Sequence, residues 1–191
     1  MRNLKFIIGI ILIGFLTSCS STLKVKQINT ANEKYPTDKT LSAKEIKVRK
    51  KFPELNEYKQ FLYIKNEEEF EKYKSYIKGT LENIGYFDKI YYKNDVEKIV
   101  INQGLTDRVT NISDNIGLLN LTKEIGKFLV LRTAVVYKGG YSYEFEFELI
   151  NPTNAETVYK VINPAFNWGG LDRPLFHPVF NDYKDWLKEN K

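Results

Sequence analysis

Two side chains with reactive chemistry occur once each in this chain, Cys19 and His177. A thiol or an imidazole can act as a nucleophile or a general base, but each needs an activating partner, and a zinc site of the usual composition needs several such ligands. His177 lies between Phe176 and Pro178, and the sequence contains no G-x-S-x-G nucleophile motif. We therefore predict a protein that is not an enzyme and that has no cofactor and no metal site.

Cys19 follows a short basic start and an apolar run of 11 residues, from 6 to 16. This is the layout of a secretory signal, and the run is shorter than the roughly 20 residues of a transmembrane helix. The four residues "LTSC" that end at Cys19 resemble the lipobox of bacterial lipoproteins. The resemblance implies that residues 1–18 are a signal peptide and that Cys19 carries diacylglycerol and becomes an acylated (palmitate-type) N-terminus. A cleaved soluble protein, or an uncleaved anchor with an incidental thiol, is the alternative.

Lipidation also accounts for the single cysteine, because an exported domain with one cysteine cannot form an internal disulfide. Each buried CH₂ group contributes about 0.8 kcal/mol, so two or three acyl chains would hold the protein on a membrane permanently. The residue after the cysteine is Ser20 rather than Asp. By resemblance to Gram-negative lipoproteins, this implies a lipid anchor in the cell envelope, at the outer membrane and facing the periplasm.

The positive net charge of the chain, +5, is concentrated near its start. Residues 24–51 hold nine Lys or Arg against three Asp or Glu, a net of +6, whereas residues 52–191 hold 18 basic and 21 acidic side chains, a net of −3. A nucleic-acid binder would carry a basic face on its domain, so we predict no nucleic-acid partner. The early segment is polar and poor in large apolar residues. We predict a flexible basic tether over 19–51, either solvated or in contact with anionic headgroups, and one domain over 52–191.

The sequence of the first part of the domain predicts alternating strands and helices. "FLYI" at 61–64 and "FDKIYY" at 87–92 are typical of strands. Ser113 is expected to open one later helix, and residues 95–103 favour another, although "KIVIN" fits a strand equally well. Between the two strands, apolar residues recur at helical spacing after the expected cap Asn66 and before the expected stop Gly85. These residues are Phe70, Tyr73, Ile77, Leu81 and Ile84.

The middle of the domain predicts an antiparallel meander of three strands. "FLVLRTAVVY" is typical of a central strand covered on both faces, and a Lys-Gly-Gly turn follows it. In "YSYEFEFEL" the alternation places Glu144, Glu146 and Glu148 on the polar face. A three-residue loop predicts Arg132 opposite Glu146, and the next turn predicts Lys160 opposite Glu148. Such cross-strand pairs are favoured over a calcium site, which needs six to eight converging oxygens.

The segment after the meander contains the candidate binding residues. Pro164 is expected to end regular structure, and the irregular loop that follows holds Phe166, Trp168, Asp172 and Arg173. Trp and Arg are enriched among interface hot spots, so this loop is either a surface plug or an anchor for a partner. A helix beginning near residue 178 closes the chain. Its packing face consists of Phe176, Phe180, Tyr183 and Leu187.

These elements predict an α/β (α+β) fold with one mixed sheet of about five strands. The order is strand, helix, strand, then helices, a three-strand meander and a C-terminal helix. This order, with pieces such as "IGYFDKI" and "KFLVLRT", resembles a small module of envelope lipoproteins: the N-terminal domain of TolB-type proteins, lipoprotein activators of penicillin-binding proteins, and auxiliary lipoproteins of export systems. The ending is similar to that of bacterial lipoproteins with a "PVFNDYKDWL"-like helix.

Two functions follow as hypotheses, and a third, an enzyme, would require a cluster of convergent polar groups in a cleft. The first is a non-catalytic, membrane-anchored module that binds or assembles with another envelope protein, with Phe166, Trp168, Asp172 and Arg173 as the contact. The second is a carrier or sensor for a small ligand or lipid, held between the sheet and the terminal helix. A continuous cavity there would favour the second hypothesis, and a filled core would count against it.

Overall fold

The computed structural model describes residues 23–66, 71–167 and 170–191. They form one six-stranded mixed sheet with helices on both faces, which confirms the predicted α/β fold. A short 3-10 helix spans Leu55–Tyr58 and a π-helical turn spans Asp172–Phe176. The remaining elements, in chain order, are β1 (Ile46–Arg49), β2 (Leu62–Asn66), α1 (Glu71–Ile84), β3 (Ile90–Tyr91), α2 (Lys93–Asn102), α3 (Asn115–Ile125), β4 (Leu129–Gly139), β5 (Ser142–Asn151), β6 (Glu156–Phe166) and α4 (His177–Glu189).

The strands lie in the order β1-β6-β5-β4-β2-β3. β2 is parallel to both β3 and β4, whereas β4, β5, β6 and β1 pair antiparallel. The predicted strand, helix and strand at the start of the domain are therefore present, and so is the predicted meander. The sixth strand is β1, which lies in the segment predicted to be a tether.

α1 forms because apolar residues recur on one of its faces. Tyr73, Ile77 and Leu81 are buried, and Gly85 ends the helix with a φ of 68°, a conformation that glycine adopts without strain. The side chains predicted to open this helix, at 66–70, lie outside the described part of the chain.

α2 and α3, on the sheet face away from α1, also form for local reasons. α2 is a helix rather than a strand, with Val96 and Val100 buried one turn apart. α3 is capped by Asp114 rather than by Ser113, because the Asp114 carboxylate accepts a hydrogen bond of 2.7 Å from the Gly117 amide.

The sheet separates two hydrophobic clusters. α1 and α4 pack on one face, and α2 and α3 pack on the other. Leu129 and Leu131 of β4 belong to the first cluster, while Phe128 and Val130 belong to the second. The first half of β4 is thus covered on both faces, as its apolar sequence predicts. Its second half becomes progressively exposed.

The register of the meander differs from the prediction at one hairpin and agrees at the other. Arg132 lies opposite Glu148, not Glu146, because the β4–β5 ladder begins beyond a bulge near the turn and is shifted by two residues. Lys160 lies opposite Glu148, as predicted. Pro164 does not end β6, which continues to pair with β5 at this position. β1 pairs with β6 only before Pro164, so the backbone N–H that proline lacks would have had no acceptor on that side.

The prediction of a flexible tether over 19–51 is wrong for much of its described part. Tyr35 is only 2% exposed, and β1 extends the sheet by pairing with β6. Basic residues of this segment form ion pairs, with Arg49 lying 2.9 Å from Asp182 of α4. Cys19 and the predicted signal peptide lie outside the described residues. Within the described ranges, each helix is too short or too polar to cross a bilayer.

Candidate functional site

Aromatic side chains are exposed where the β4–β5 hairpin turns and β6 ends. Tyr137 is 59% exposed, Tyr141 60% and Phe166 50%. The Tyr141 and Phe166 rings meet edge to face at 5.8 Å, and the Tyr137 and Tyr143 rings lie 5.3 Å apart. We call these four residues the aromatic tip. The two ring pairs lie on opposite faces of the sheet end, because Phe166 pairs with Ser142 whereas Tyr137 pairs with Tyr143, the next residue along β5. Each pair combines apolar area with tyrosine hydroxyl groups.

The aromatic tip protrudes because the hairpin is longer than the helices that cover it. Phe176, directly before α4, packs against Phe145 of β5 at a ring distance of 4.8 Å. The strand continues for three residues beyond Phe145 to Ser142, about 10 Å, before the turn. The turn itself uses Gly139 and Gly140, whose φ values of 96° and 60° most other residues avoid.

The structure divides the four residues predicted for partner binding. Phe166 belongs to the aromatic tip, and the amide of its neighbour Asn167 donates a 2.7 Å hydrogen bond to the Tyr141 carbonyl. Asp172 and Arg173 lie on the π-helical turn before α4, where Asp172 is half-buried and Arg173 is exposed. Trp168 lies outside the described residues.

The sequence analysis did not identify Tyr137 and Tyr141 as surface residues. Each belongs to an apolar strand pattern that predicts a packed side chain. The available signal was length. An 11-residue strand spans about 36 Å, whereas the 14 residues of α1 span about 21 Å. A hairpin that is longer than the helix covering it must expose the residues nearest to its turn.

Glu144, Glu146 and Glu148 of β5 lie on the same sheet face as Ile150, which belongs to the cluster of α2 and α3, and Glu144 and Glu148 form ion pairs. Glu148 lies 3.4 Å from Lys160 and accepts a 2.8 Å hydrogen bond from the Thr157 hydroxyl. Glu144 lies 3.1 Å from Lys138 beside the aromatic tip. Within the described ranges, no three His, Cys, Asp or Glu side chains converge as metal ligands would.

His177 is fully buried at the start of α4. Its Nδ1 lies 2.7 Å from the Pro36 carbonyl oxygen, and its ring stacks on Tyr35 at 5.3 Å. Burial lowers the pKa of His177, because the charged form would lose its hydration. The imidazole therefore holds Tyr35 and Pro36 against α4, and it is not accessible to a substrate.

The space between the sheet and α4 is filled by packed rings. Phe147 lies 5.0 Å from Tyr183 and 6.2 Å from Phe180, and Tyr159 lies 5.3 Å from Trp186. A filled core at this place counts against the ligand-carrier hypothesis. A cleft of about 200 Å³ lies instead on the outer side of α4, against residues 32–41. It is polar and smaller than the roughly 300 to 1,000 Å³ of most small-molecule sites.

Comparison with solved structures gives low-identity similarities over most of the domain. The chain is similar to the C-terminal domain of LpoB from Salmonella enterica, with 11% identity and a TM-score of 0.39 over 58% of this chain and 84% of that one. It is similar to the lipoprotein GNA1162 from Neisseria meningitidis, with 12% identity and a TM-score of 0.38 over 68% of this chain and 95% of that one.

A third similarity is to PelC from Paraburkholderia phytofirmans, a dodecamer, with 15% identity and a TM-score of 0.36 over 70% of this chain and 88% of that one. No protein-family model matches the sequence, and no curated protein matches it.

Proposed function

We propose that this chain is a non-catalytic, membrane-anchored protein of the bacterial cell envelope that binds another envelope protein through the aromatic tip. The lipid anchor is Cys19, within the lipobox-like "LTSC", and Ser20 favours the outer membrane with the domain facing the periplasm. The observation that carries the proposal is the exposure of Tyr137, Tyr141 and Phe166 together at one end of the sheet.

The aromatic tip has the composition of an interface. Aromatic residues are enriched in the buried centres of protein interfaces, and polar residues surround them. The ion pair between Lys138 and Glu144 supplies such a polar rim. Tyr137, Tyr143 and Phe166 lie on paired strands, and Tyr141 lies in the turn, where its carbonyl accepts a hydrogen bond from the Asn167 amide. Little backbone freedom would therefore be lost when a partner binds.

A non-catalytic role is supported by the position of the single histidine. His177 is 0% exposed, and its Nδ1 is already engaged with the Pro36 carbonyl. General acid–base catalysis needs a side chain within hydrogen-bond reach of a substrate. The binding function therefore depends on surface shape and aromatic contact rather than on a reactive group.

Photocrosslinking in the native envelope tests the partner-binding proposal. A photoreactive phenylalanine analogue at position 141 should give one discrete adduct whose partner is identified by mass spectrometry. The same analogue at Ile116, which is 74% exposed on α3, is the matched control and should not give that adduct. The additional change Phe166→Ala should abolish the adduct at 141. An adduct of equal yield at both positions, or one indifferent to Phe166→Ala, would contradict the proposal.

The anchor is tested separately. The N-terminal peptide of the mature protein should begin at Cys19 and carry the mass of diacylglycerol and an acyl chain. Cys19→Ala should move the protein from the membrane fraction to the soluble fraction or leave its signal uncleaved. An unmodified thiol at Cys19 in the native protein would refute the anchor and leave the aromatic tip as an independent question.

A further inference from the structure

Among the described residues, the edge of β4 that faces β2 is unpaired over its hairpin half. β2 pairs with β4 from Leu129 to Thr133, and its last residue, Asn66, lies opposite Thr133. β4 continues to Gly139, and within the described ranges no strand lies beside residues 134–138 on this side. We call residues 134–138 the open edge, which is about 17 Å long and could pair with an added strand.

The backbone groups of Val135 and Tyr137 point toward the open edge. The Ile162 amide of β6 donates a 2.9 Å hydrogen bond to the Glu45 carbonyl beside β1, so Ile162 faces away from its partner in β5, Glu146. In an antiparallel ladder, bonded and non-bonded pairs alternate, so Glu146 is hydrogen-bonded to β4 instead. Val135 and Tyr137, one and three residues beyond the partner of Glu146, therefore direct their N–H and C=O groups away from β5. Within the described ranges, no neighbouring strand pairs with these four polar groups.

The side chains of the open edge favour strand pairing. Residues 134–136 are Ala, Val and Val, all half-buried, and Tyr137 is 59% exposed. β-branched and aromatic side chains pack well against those of a neighbouring strand. The charge of Lys138 is offset by Glu144, whose carboxylate lies 3.1 Å from its ammonium.

Other edges of the sheet are protected against pairing. On the edge of β6 beyond β1, Pro164 has no N–H, and its carbonyl accepts a 2.7 Å hydrogen bond from the Lys39 ammonium. β1 has four residues and a bulge between Ile46 and Val48, and β3 has two residues. Proteins use Pro, Lys, bulges and short strands to prevent an edge from pairing. Residues 134–137 carry neither Pro nor charge.

We propose that the open edge binds an extended segment of a partner protein as an additional β-strand. This inference rests on the proposed function and names its class of partner: a protein that presents a short extended segment rich in β-branched or aromatic residues. Val135 and Tyr137 supply the main-chain hydrogen bonds, which give affinity in strand addition, and alternate side chains of the segment give specificity. Tyr137 belongs both to the open edge and to the aromatic tip, so one partner contacts both.

A second copy of this chain fits the open edge less well. Antiparallel pairing of two β4 strands centred on Val136 would place Gly139 of one copy opposite Thr133 of the other. Asn66 of β2 already occupies the position beside Thr133. The occupant is therefore a segment of a different protein.

Hydrogen exchange of the purified full-length protein tests whether the edge is open. Residue-resolved mass spectrometry should show exchange at the Val135 and Tyr137 amides at least about tenfold faster than at Val136, whose amide is bonded to β5 and is the internal control. Slow exchange at Val135 and Tyr137 at every protein concentration would mean that the edge is already covered. Protection that rises with protein concentration would mean that a second copy covers it. Either result would overturn the proposal.

A phage-displayed library of short random peptides, panned on the same protein, is the probe for the added strand. The tightest-binding peptide, made synthetically, should slow exchange at Val135 and Tyr137 at least about tenfold and leave Val136 unchanged. Recovery of no peptide, or protection confined to other parts of the chain, would overturn the proposal.

Backbone methylation of that peptide tests the hydrogen bonds. N-methylation of every second peptide amide should weaken binding at least about tenfold when the methylated amides face β4. Methylation shifted by one residue is the matched control and should have a much smaller effect, because those amides face away from the sheet. Equal effects of the two peptides would overturn strand addition.

A substitution in the protein tests the same bonds from the other side. Val135→Pro removes one N–H at the open edge and no hydrogen bond to β5, so it should weaken peptide binding at least about tenfold. Val135→Thr keeps the N–H and the β-branched shape, is the matched control, and should bind as the unaltered protein does. Unchanged binding by a folded Val135→Pro protein would overturn the proposal. Where circular dichroism shows that the proline variant does not fold, the methylated peptides decide the question.

These results are distinguishable from failure of the proposed function. The peptide assays contain no envelope partner, so they do not depend on the crosslink at Tyr141. A missing crosslink with intact peptide protection would remove the partner contact at the aromatic tip and leave the open edge standing. A discrete crosslink at Tyr141 without peptide protection would keep the proposed function and overturn this inference.

Discussion

The Nδ1 atom of His177 lies 2.7 Å from the Pro36 carbonyl oxygen, across 141 positions of sequence. The ring also stacks on Tyr35, and its Nε2 atom is buried without a hydrogen-bond partner among the described residues. A neutral imidazole with its proton on Nδ1 satisfies this geometry, because it donates to the carbonyl. The charged form would place a second N–H where no acceptor lies.

The stability of the fold should therefore fall in mild acid. Burial lowers the pKa of His177 in the folded protein, whereas the unfolded chain binds the same proton near pH 6.5. The unfolded state binds more protons in this window, so stability is complete above about pH 6.5 and declines below it, by at most about 1.4 kcal/mol per pH unit, until the folded pKa is reached. Urea unfolding between pH 7 and pH 5 measures the slope.

His177→Phe is the control for this slope, since it keeps an aromatic ring against Tyr35 but cannot titrate. Its free energy of unfolding should vary less over the same pH interval than that of the unaltered protein. Identical slopes for the two proteins would show that other groups, not His177, cause the acid sensitivity.

Asn181→Ala should release the N-terminal segment. The Asn181 side chain accepts a 2.7 Å hydrogen bond from the Tyr35 amide and donates one of 3.0 Å to the Tyr35 carbonyl. Removing it leaves two buried backbone groups unpaired, at a cost of about 2 to 4 kcal/mol. Hydrogen exchange should accelerate over residues 29–41. Asp185→Ala, one turn further along α4 in an exposed ion pair with Lys34, should cost less than about 1 kcal/mol.

Gly117→Ala should destabilise the start of α3. A Cβ atom at this position would lie 1.4 Å from the Asn111 carbonyl oxygen, which is backbone and cannot rotate away. Overpacking of this kind should cost about 2 kcal/mol or more, measured by urea unfolding. The adjacent change Ile116→Ala, at a 74% exposed position, should stay within about 0.5 kcal/mol. Equal stabilities would contradict the close approach of the Asn111 carbonyl to Gly117.

A double-mutant cycle should detect the pair formed by Glu148 and Lys160. Their side chains lie 3.4 Å apart on directly opposite positions of β5 and β6. Their coupling energy should be about 0.3 to 1 kcal/mol and should shrink in high salt. The cycle between Glu144 and Lys160 should give a value near zero, because Glu144 lies opposite Pro164. A larger coupling in the second cycle would contradict the observed register.

The elements that sequence predicted correctly are those with local causes. α1 and the face of α4 follow from apolar spacing, because a helix presents every third or fourth residue to one side whatever it packs against. Phe180 and Tyr183 are buried as that spacing predicts. The alternation of β5 likewise places Phe145 and Phe147 in the core. These patterns also determined the fold class, one mixed sheet covered by helices.

What only the tertiary structure decided depends on residues far apart in sequence. The segment predicted to be a tether has too few apolar residues to order itself, yet Tyr35 is buried because α4 supplies Asn181 and His177 to hold it. The aromatic tip arises because a hairpin and two helices of unequal length share one sheet. In the candidate site, sequence alone pointed to Phe166. Its contact with Tyr141, which lies in the turn, arises from the pairing of β5 with β6, and register depends on the turn and on both strands together.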